Sequence, residues 1–417
     1  MIWVFLAFAV VCALVVLNAY WPPRRQPLGV ASLVVGLFVD EVPVHAAVVV
    51  LAGTVALGSD VAVHSAVWWV ALVLGLAAVV GWIGLARVAH RAGGLVDQAL
   101  DSATGGPIVA DGVDLAPVWL VGWRLVVAIP FRFRSIRRIK NIDYAGDGIY
   151  RHRLDVLVRR DDPPTAGPVF VYLHGGAWVI GDKREQGIPL LHELAARGWV
   201  CVVINYRLSP KATWPDQIVD CKRAVAWVRG HIDEYGGDPS FVAVSGGSAG
   251  GHLAALVGLT AGYAEWQPGF EDADTSVDAC LPYYGVHDVT GDSEASGAYG
   301  RRFFTFLERM VVKVTYEEAP DVYVSASPER RITAAAAPMF VVQGSNDTLV
   351  PPQVGRRFAE RLREYSDSPV AYVELPRAQH AFDVLASIRS RHTSLGAVRF
   401  LEGIRSRVAR GTPADTP

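Results

Sequence analysis

The sequence predicts an α/β architecture: a mostly parallel sheet with helices on both faces, preceded by a block of apolar helices at the N-terminus. Short apolar runs at 168–173, 200–206, 241–245, 280–284, 339–343 and 371–375 have the length of strands and follow an alternating segment at 152–158. Helical patterns at 184–197, 215–233, 249–262, 352–366 and 387–409 separate most of them. Apolar runs that alternate with helices imply strands buried on both faces, which is the condition of a parallel sheet. The third observation concerns the front of the chain. The composition is 51% hydrophobic with a mean hydropathy of +0.27, and the excess is concentrated in residues 1–92.

That front block carries three apolar segments, at 1–20, 44–57 and 61–86. A bilayer crossing needs about 20 apolar residues, within a range of about 17–25. The first and third segments qualify. The second is marginal unless it begins before Asp40-Glu41, within 28–38. A signal peptide fits 1–20 poorly, because no Lys or Arg precedes the apolar run and Trp21-Pro22-Pro23 is no small-residue cleavage site. Arg24 and Arg25 follow the first segment, and Arg87 and Arg91 follow the third. Three crossings put both pairs on one side, which the positive-inside rule makes the cytoplasm. The expectation is a multi-pass membrane region at 1–92, with the N-terminus outside and the downstream domain in the cytoplasm. The other reading makes the second segment interfacial or re-entrant.

Residues 93–150 read as a linker with an amphipathic or cap segment. Within it, arginines interleave with aromatics from Trp119 to Lys140, including Phe131-Arg132-Phe133-Arg134 and Arg137-Arg138. Such a stretch suits a membrane surface, and equally a lid or core helix whose arginines face solvent. The net charge of −2 leaves no general basic footprint for nucleic acid. The four cysteines, Cys12, Cys201, Cys221 and Cys280, have no spacing that suggests a disulfide framework or a metal site. Residues 411–417 are expected to be a disordered tail.

The most specific local pattern is Gly246-Gly247-Ser248-Ala249-Gly250, set between an apolar run and an Ala/Leu-rich helical pattern. A G-x-S-x-G turn between strand and helix lifts the serine Oγ above the sheet end, where a substrate can reach it. The plain alternative is a Gly-rich turn whose serine caps the next helix. A hydroxyl needs a base, and the base needs an orienting group. Asp347 lies just past the run at 338–343, and His380 on the loop after 371–375, in the order serine, acid, histidine. Taken singly, Asp347 could be an Asx-turn residue and His380 an ordinary loop histidine. Three candidates in order, each at a strand end, make coincidence a poor account. The run at 169–173 leads into His174-Gly175-Gly176-Ala177-Trp178. Small residues there can turn backbone N–H groups towards a developing oxyanion, with the N–H of Ala249 as the third donor, and the plain alternative is a turn after a strand. His174 reads as a structural hydrogen-bonder of that loop.

These motifs, with Asn346-Asp347 and Gln379-His380-Ala381-Phe382, resemble the hormone-sensitive-lipase-type esterases of the α/β-hydrolase superfamily. The resemblance runs from about 154 to about 405. It implies an α/β-hydrolase fold at 151–410 and hydrolysis of carboxylic esters through an acyl-serine, with no metal or organic cofactor. By that resemblance Ser248 is the nucleophile, His380 the base and Asp347 the orienting acid, and Gly176, Ala177 and Ala249 would donate to the oxyanion. Two positions depart from that family: Ala177 stands where a third glycine is usual, and Gly247 where an acidic residue is usual. His-Gly-Gly-x-Trp equally resembles arylformamidases, which cleave a formamide with the same triad. A third reading is a non-catalytic receptor on this fold, against which the full triad argues.

An insertion at 288–333 interrupts the strand–helix alternation and reads as a lid over the acyl pocket. Its helix carries Phe303 and Phe304, which together with Trp178 are the candidate substrate-binding residues. Ordinary packing explains such a stripe as well. Tyr206 to Pro210 and Trp214-Pro215 read as scaffold. The expected substrate is a lipid-like acyl ester, met beside a membrane.

Overall fold

In a computed structural model, residues 1–24, 27–59, 65–104, 135–291, 294–297 and 299–409 are described. The arginine-aromatic stretch up to Arg134 and the tail at 411–417 lie outside them. Eight strands form one sheet: β1 (Ile136–Asp143), β2 (Arg153–Arg159), β3 (Gly167–Leu173), β4 (Val200–Ile204), β5 (Gly237–Gly247), β6 (Ala279–Tyr283), β7 (Met339–Gly344) and β8 (Val370–Leu375). Their order is β1-β2-β4-β3-β5-β6-β7-β8. β2 runs antiparallel to both β1 and β4, and every other pair is parallel.

The predicted strands are all present, and their alternation builds two cores. Val169, Val171 and Leu173 of β3 face one layer, and Phe170 and Tyr172 face the other, as a two-residue period requires. The first layer takes Ile218 and Val225 of a helix at Asp216–His231, Leu253 and Leu256 of one at Ala249–Leu259, and Phe358 and Leu362 of one at Pro352–Tyr365. The second takes Leu191 and Leu194 of a helix at Ile188–Ala196 and Phe400 and Leu401 of one at Ile388–Ala409.

Among the described residues, a helix and a strand occupy much of 93–150. A helix at Ala92–Thr104 buries Val96 and Leu100 in the second layer, and its Asp97 pairs with Arg399. β1 adds an edge strand, and Arg138 on it pairs with the buried Asp155 of β2 at 2.7 Å. Arg138 therefore serves the sheet edge, which neither reading of the arginine-aromatic stretch foresaw.

At the N-terminus four helices form: α1 (Ile2–Tyr20), α2 (Leu28–Val39), α3 (Pro43–Ser59) and α4 (Ala66–His90). The second apolar segment, 44–57, lies within α3, and the stretch at 28–38 that could have extended it forms a separate helix, α2, on the other side of Asp40-Glu41. α1, α3 and α4 pack as a bundle around Val16, Ala19, Ala47, Val50, Ala78 and Trp82. Small residues allow the close approach. A Cβ at Gly75 would meet Thr54 Oγ1 at 2.5 Å, and one at Gly81 would meet Val16 Cγ1 at 2.5 Å. Two helical stretches, Ile2–Tyr20 and Ala66–Thr104, are long and apolar enough to cross a membrane by length and composition, and α3 is shorter at 17 residues.

His287, after β6, is fully buried and stacks on Phe358 with ring centroids 3.9 Å apart. Neither ring nitrogen has a hydrogen-bond partner among the described residues. Burial first, then the nearby His252, pushes its pKa down to about 3. The folded protein therefore binds fewer protons than the unfolded chain between about pH 3 and the ordinary histidine value of 6.5. Stability should rise with pH across that window and fall on acidification, by up to about 1.4 kcal/mol per pH unit for this one group. Denaturation of the full chain from pH 7 to pH 4 should give a shallower loss for His287→Phe than for the wild type. Equal slopes would contradict this.

Candidate active site

β5 ends at Gly247 and the next helix starts at Ala249, so Ser248 alone makes the turn. Its backbone sits at φ 58° and ψ −120°, a conformation that costs a non-glycine residue about 1–3 kcal/mol. The surroundings enforce it. A Cβ at Gly246 would lie 2.5 Å from the backbone of Gly250 and from Leu173 O, and one at Gly250 would lie 2.1 Å from Leu173 O. The turn therefore rests directly on the end of β3, and the Ser248 N–H donates to Tyr283 O at 3.0 Å.

Asp347 follows β7 and is buried. Its Oδ1 accepts the N–H groups of Leu349 and Val350 at 2.9 and 2.8 Å. Its Oδ2 accepts from Gln343 Nε2 at 3.1 Å and lies 2.7 Å from His380 Nδ1. A carboxylate there fixes the proton on Nδ1 and leaves Nε2 as the acceptor nitrogen. Gln379 joins the two loops: its Oε1 accepts the backbone N–H of Thr348 at 2.8 Å and of His380 at 2.9 Å.

The loop after β3 carries three successive residues at positive φ: Gly176 at 121°, Ala177 at 51° and Trp178 at 61°. Among the described residues the N–H groups of Gly176 and Ala177 have no hydrogen-bond acceptor. Ala249 opens its helix, where the first N–H groups lack intrahelical acceptors. Trp178 Nε1 donates to His252 Nδ1 at 3.3 Å, and His252 Nε2 bonds Ala326 O at 2.7 Å. Those two bonds assign His252 as the neutral Nε2–H tautomer, and burial agrees by lowering its pKa to about 4. His252 thus ties this loop to the insertion. His174 is also held neutral by burial, at about 4, with Nδ1 bonded to Gly175 O at 2.8 Å and its ring stacked on Tyr206.

The departure at Gly247 has a physical reason. A Cβ there would lie 2.6 Å from Tyr284 Oη, so the tyrosine occupies the space of any side chain at 247. The Tyr284 ring packs 4.6 Å from that of His380, and its hydroxyl donates to Asp383. Burial lifts the Asp383 carboxyl to about 6, with the Tyr284 hydrogen bond opposing.

Ser248, Ala177, Trp178 and Ala249 line a cavity of about 410 Å³. Tyr299, Phe303 and Phe306 of the insertion form an aromatic wall, and Pro27 and Val30 of the N-terminal region line it too. Arg302 is the one charged side chain among its described lining. Phe303 lines this cavity, and Phe304 is not among its described lining residues. Its ring packs over Gly291 and beside Phe303. Gln343, Gln379, Tyr284, Phe306 and Val30 are site residues that sequence reasoning did not single out. Only Gln379 had a signal, its place beside His380. Among the described residues no group of three or more His, Cys, Asp or Glu could hold a metal ion.

The BD-FAE family model matches residues 154–362. "Probable carboxylic ester hydrolase LipM" of Mycobacterium tuberculosis (strain ATCC 25618 / H37Rv) is 42% identical over 409 residues, covering 95% of this chain and 92% of that protein. "Esterase LipQ" of the same organism is 44% identical over 66% of this chain, which spans 64% of LipQ. An inhibited esterase B from Lactobacillus rhamnosis shares the fold, with a TM-score of 0.55, 18% identity, and coverage of 67% of this chain and 90% of that one. The chain belongs to the BD-FAE family of α/β-hydrolase-type domains, among relatives named as esterases.

Proposed function

We propose that this protein is a membrane-anchored serine hydrolase of carboxylic esters with apolar acyl groups. The observation that carries the reading is the 2.7 Å His380–Asp347 pair on loops beside Ser248, itself raised on a strained turn into one apolar cavity. Ser248 Oγ attacks the acyl carbonyl while His380 Nε2 takes its proton, and Asp347 stabilises the imidazolium. The N–H groups of Gly176, Ala177 and Ala249 receive the oxyanion. On collapse, His380 returns the proton to the leaving alkoxide, which departs as the alcohol. Water, deprotonated by His380, then attacks the acyl-serine and releases the acid. The relatives' descriptions as esterases support an ester over an amide.

The anchor is the bundle of α1, α3 and α4. Its contacts use small residues, while bulky ones such as Val48, Val55, Val73 and Val80 point outward, each more than 60% exposed. That is the inverse of a water-soluble bundle and suits lipid. Three helix ends meet the catalytic domain. Asn346 Nδ2 bonds Ala19 O at the end of α1, Arg389 pairs with Glu41 before α3, and His392 lies by His90 at the end of α4. Three crossings then leave the N-terminus on the far side and Arg24, Arg87 and Arg91 on the catalytic side, which is the cytoplasm by charge.

Ser248→Ala should lower kcat/KM for p-nitrophenyl butyrate by about 10³-fold or more while the thermal transition stays in place. Undiminished turnover would sink the mechanism. Assay of N-formylkynurenine beside butyrate separates the amide reading, with butyrate expected to be the better substrate. Alkaline phosphatase fused after Gly94 should be inactive and GFP fused there fluorescent; the reverse result would overturn the cytoplasmic placement.

A further inference from the structure

The family match begins at residue 154, yet one side of the Ser248 cavity comes from far upstream. Pro27 and Val30 line it from the start of α2. α2 has 12 residues and is about 18 Å long at 1.5 Å per residue, too short to cross a bilayer. It sits between α1 and α3 in sequence and is seated by polar contacts to the catalytic loops.

Those contacts bracket the acid. Thr348 Oγ1 bonds Gly29 O at 2.9 Å, and Asn346 Nδ2 bonds Ala19 O at 2.9 Å and Tyr20 O at 3.4 Å. Both neighbours of Asp347 are thus tied to the segment that carries α2. At its other end, Glu41 accepts from Ser387 Oγ and Arg389 Nη1 at 2.8 Å each, and all three residues are buried. Within the N-terminal region, Asn18 Nδ2 bonds Ser32 O at 3.2 Å. α2 is therefore fixed at both ends relative to Ser248.

We infer that α2 is the selectivity wall of the active site and that Val30 sets the length of acyl chain accepted there. This rests on the ester reading of Ser248. The aromatic wall of Tyr299, Phe303 and Phe306 and the aliphatic wall of α2 bound one apolar space. An acyl chain attached at Ser248 fills it. Val30 lines the cavity and has 48% of its surface exposed. Its branched side chain has essentially one χ1 rotamer in a helix, so it acts as a stop and does not swing aside. The gauge lies in the chain between two helices of the proposed anchor, so an ester accepted there sits at the membrane boundary.

The test is the kcat/KM series for p-nitrophenyl esters from acetate to dodecanoate, with the full chain in detergent micelles. Val30→Trp should lower the dodecanoate-to-acetate ratio by about tenfold or more, the scale on which a filled apolar pocket discriminates. Val30→Ala should raise it. Leu28→Trp, two residues back and about 200° around the helix, should keep the wild-type ratio. Should the tryptophan variant at 30 fail to fold, the alanine variant carries the test. A wild-type ratio in the Val30 variants, or an equal fall in Leu28→Trp, overturns the role of α2. Wild-type protein that hydrolyses no member of the series overturns the ester reading, which is a separate result.

Discussion

The structure turns on the close contact between the Ser248 turn and the end of β3. Gly246 and Gly250 stand where a Cβ would lie within 2.5 Å of backbone atoms, so the turn cannot relax outward or inward. That contact holds Ser248 at φ 58°. The strain of about 1–3 kcal/mol persists because the surrounding sheet over-determines the conformation. The buried strands on either side, β3 and β6, supply that rigidity through two apolar layers. A serine on a soft loop would have the same chemistry and a poorly defined position.

The other half of the site is built by side-chain amides. Gln343 holds the carboxylate of Asp347 from below, and Gln379 ties the acid loop to the histidine loop. The N-terminal segment then holds the residues flanking the acid. Tyr20, at the end of the first helix, accepts from Arg377 on the histidine side and from Asn346 on the acid side. A segment in contact with both loops is more than a covalent tether. Its movement relative to the sheet would disturb Asp347, His380 and the cavity wall together.

Much of this was legible in the sequence, for identifiable reasons. Ser248, Asp347 and His380 each follow an apolar run, so strand ends and chemistry could be read from the same stretch. The buried strands carry a simple periodicity. β1 escaped because an edge strand can be rich in charge, and Arg137, Arg138 and Lys140 read as a surface patch. The helix at Ala92–Thr104 buries only Ala92, Val96 and Leu100 and is otherwise rich in small and polar residues, which made it look like a linker. Phe304 was misjudged because spacing alone does not say which side of a short helix faces a cavity, and that helix runs on into a π-helical turn at Leu307–Val311. The break between α2 and α3 carries Glu41, whose partner Arg389 lies more than three hundred residues away. No local pattern encodes such a contact. The glycine at 247 had no meaning until Tyr284 was seen beside it.

The central claim is that Ser248 is a nucleophile primed by His380 and Asp347. The most direct measurement is peptide mapping by mass spectrometry after treating the folded full-length protein with a fluorophosphonate. The account expects one phosphonyl adduct, on the peptide containing Ser248, formed in wild type and lost in His380→Ala. An adduct on any other residue, or equal labelling of Ser248 in His380→Ala, would contradict it.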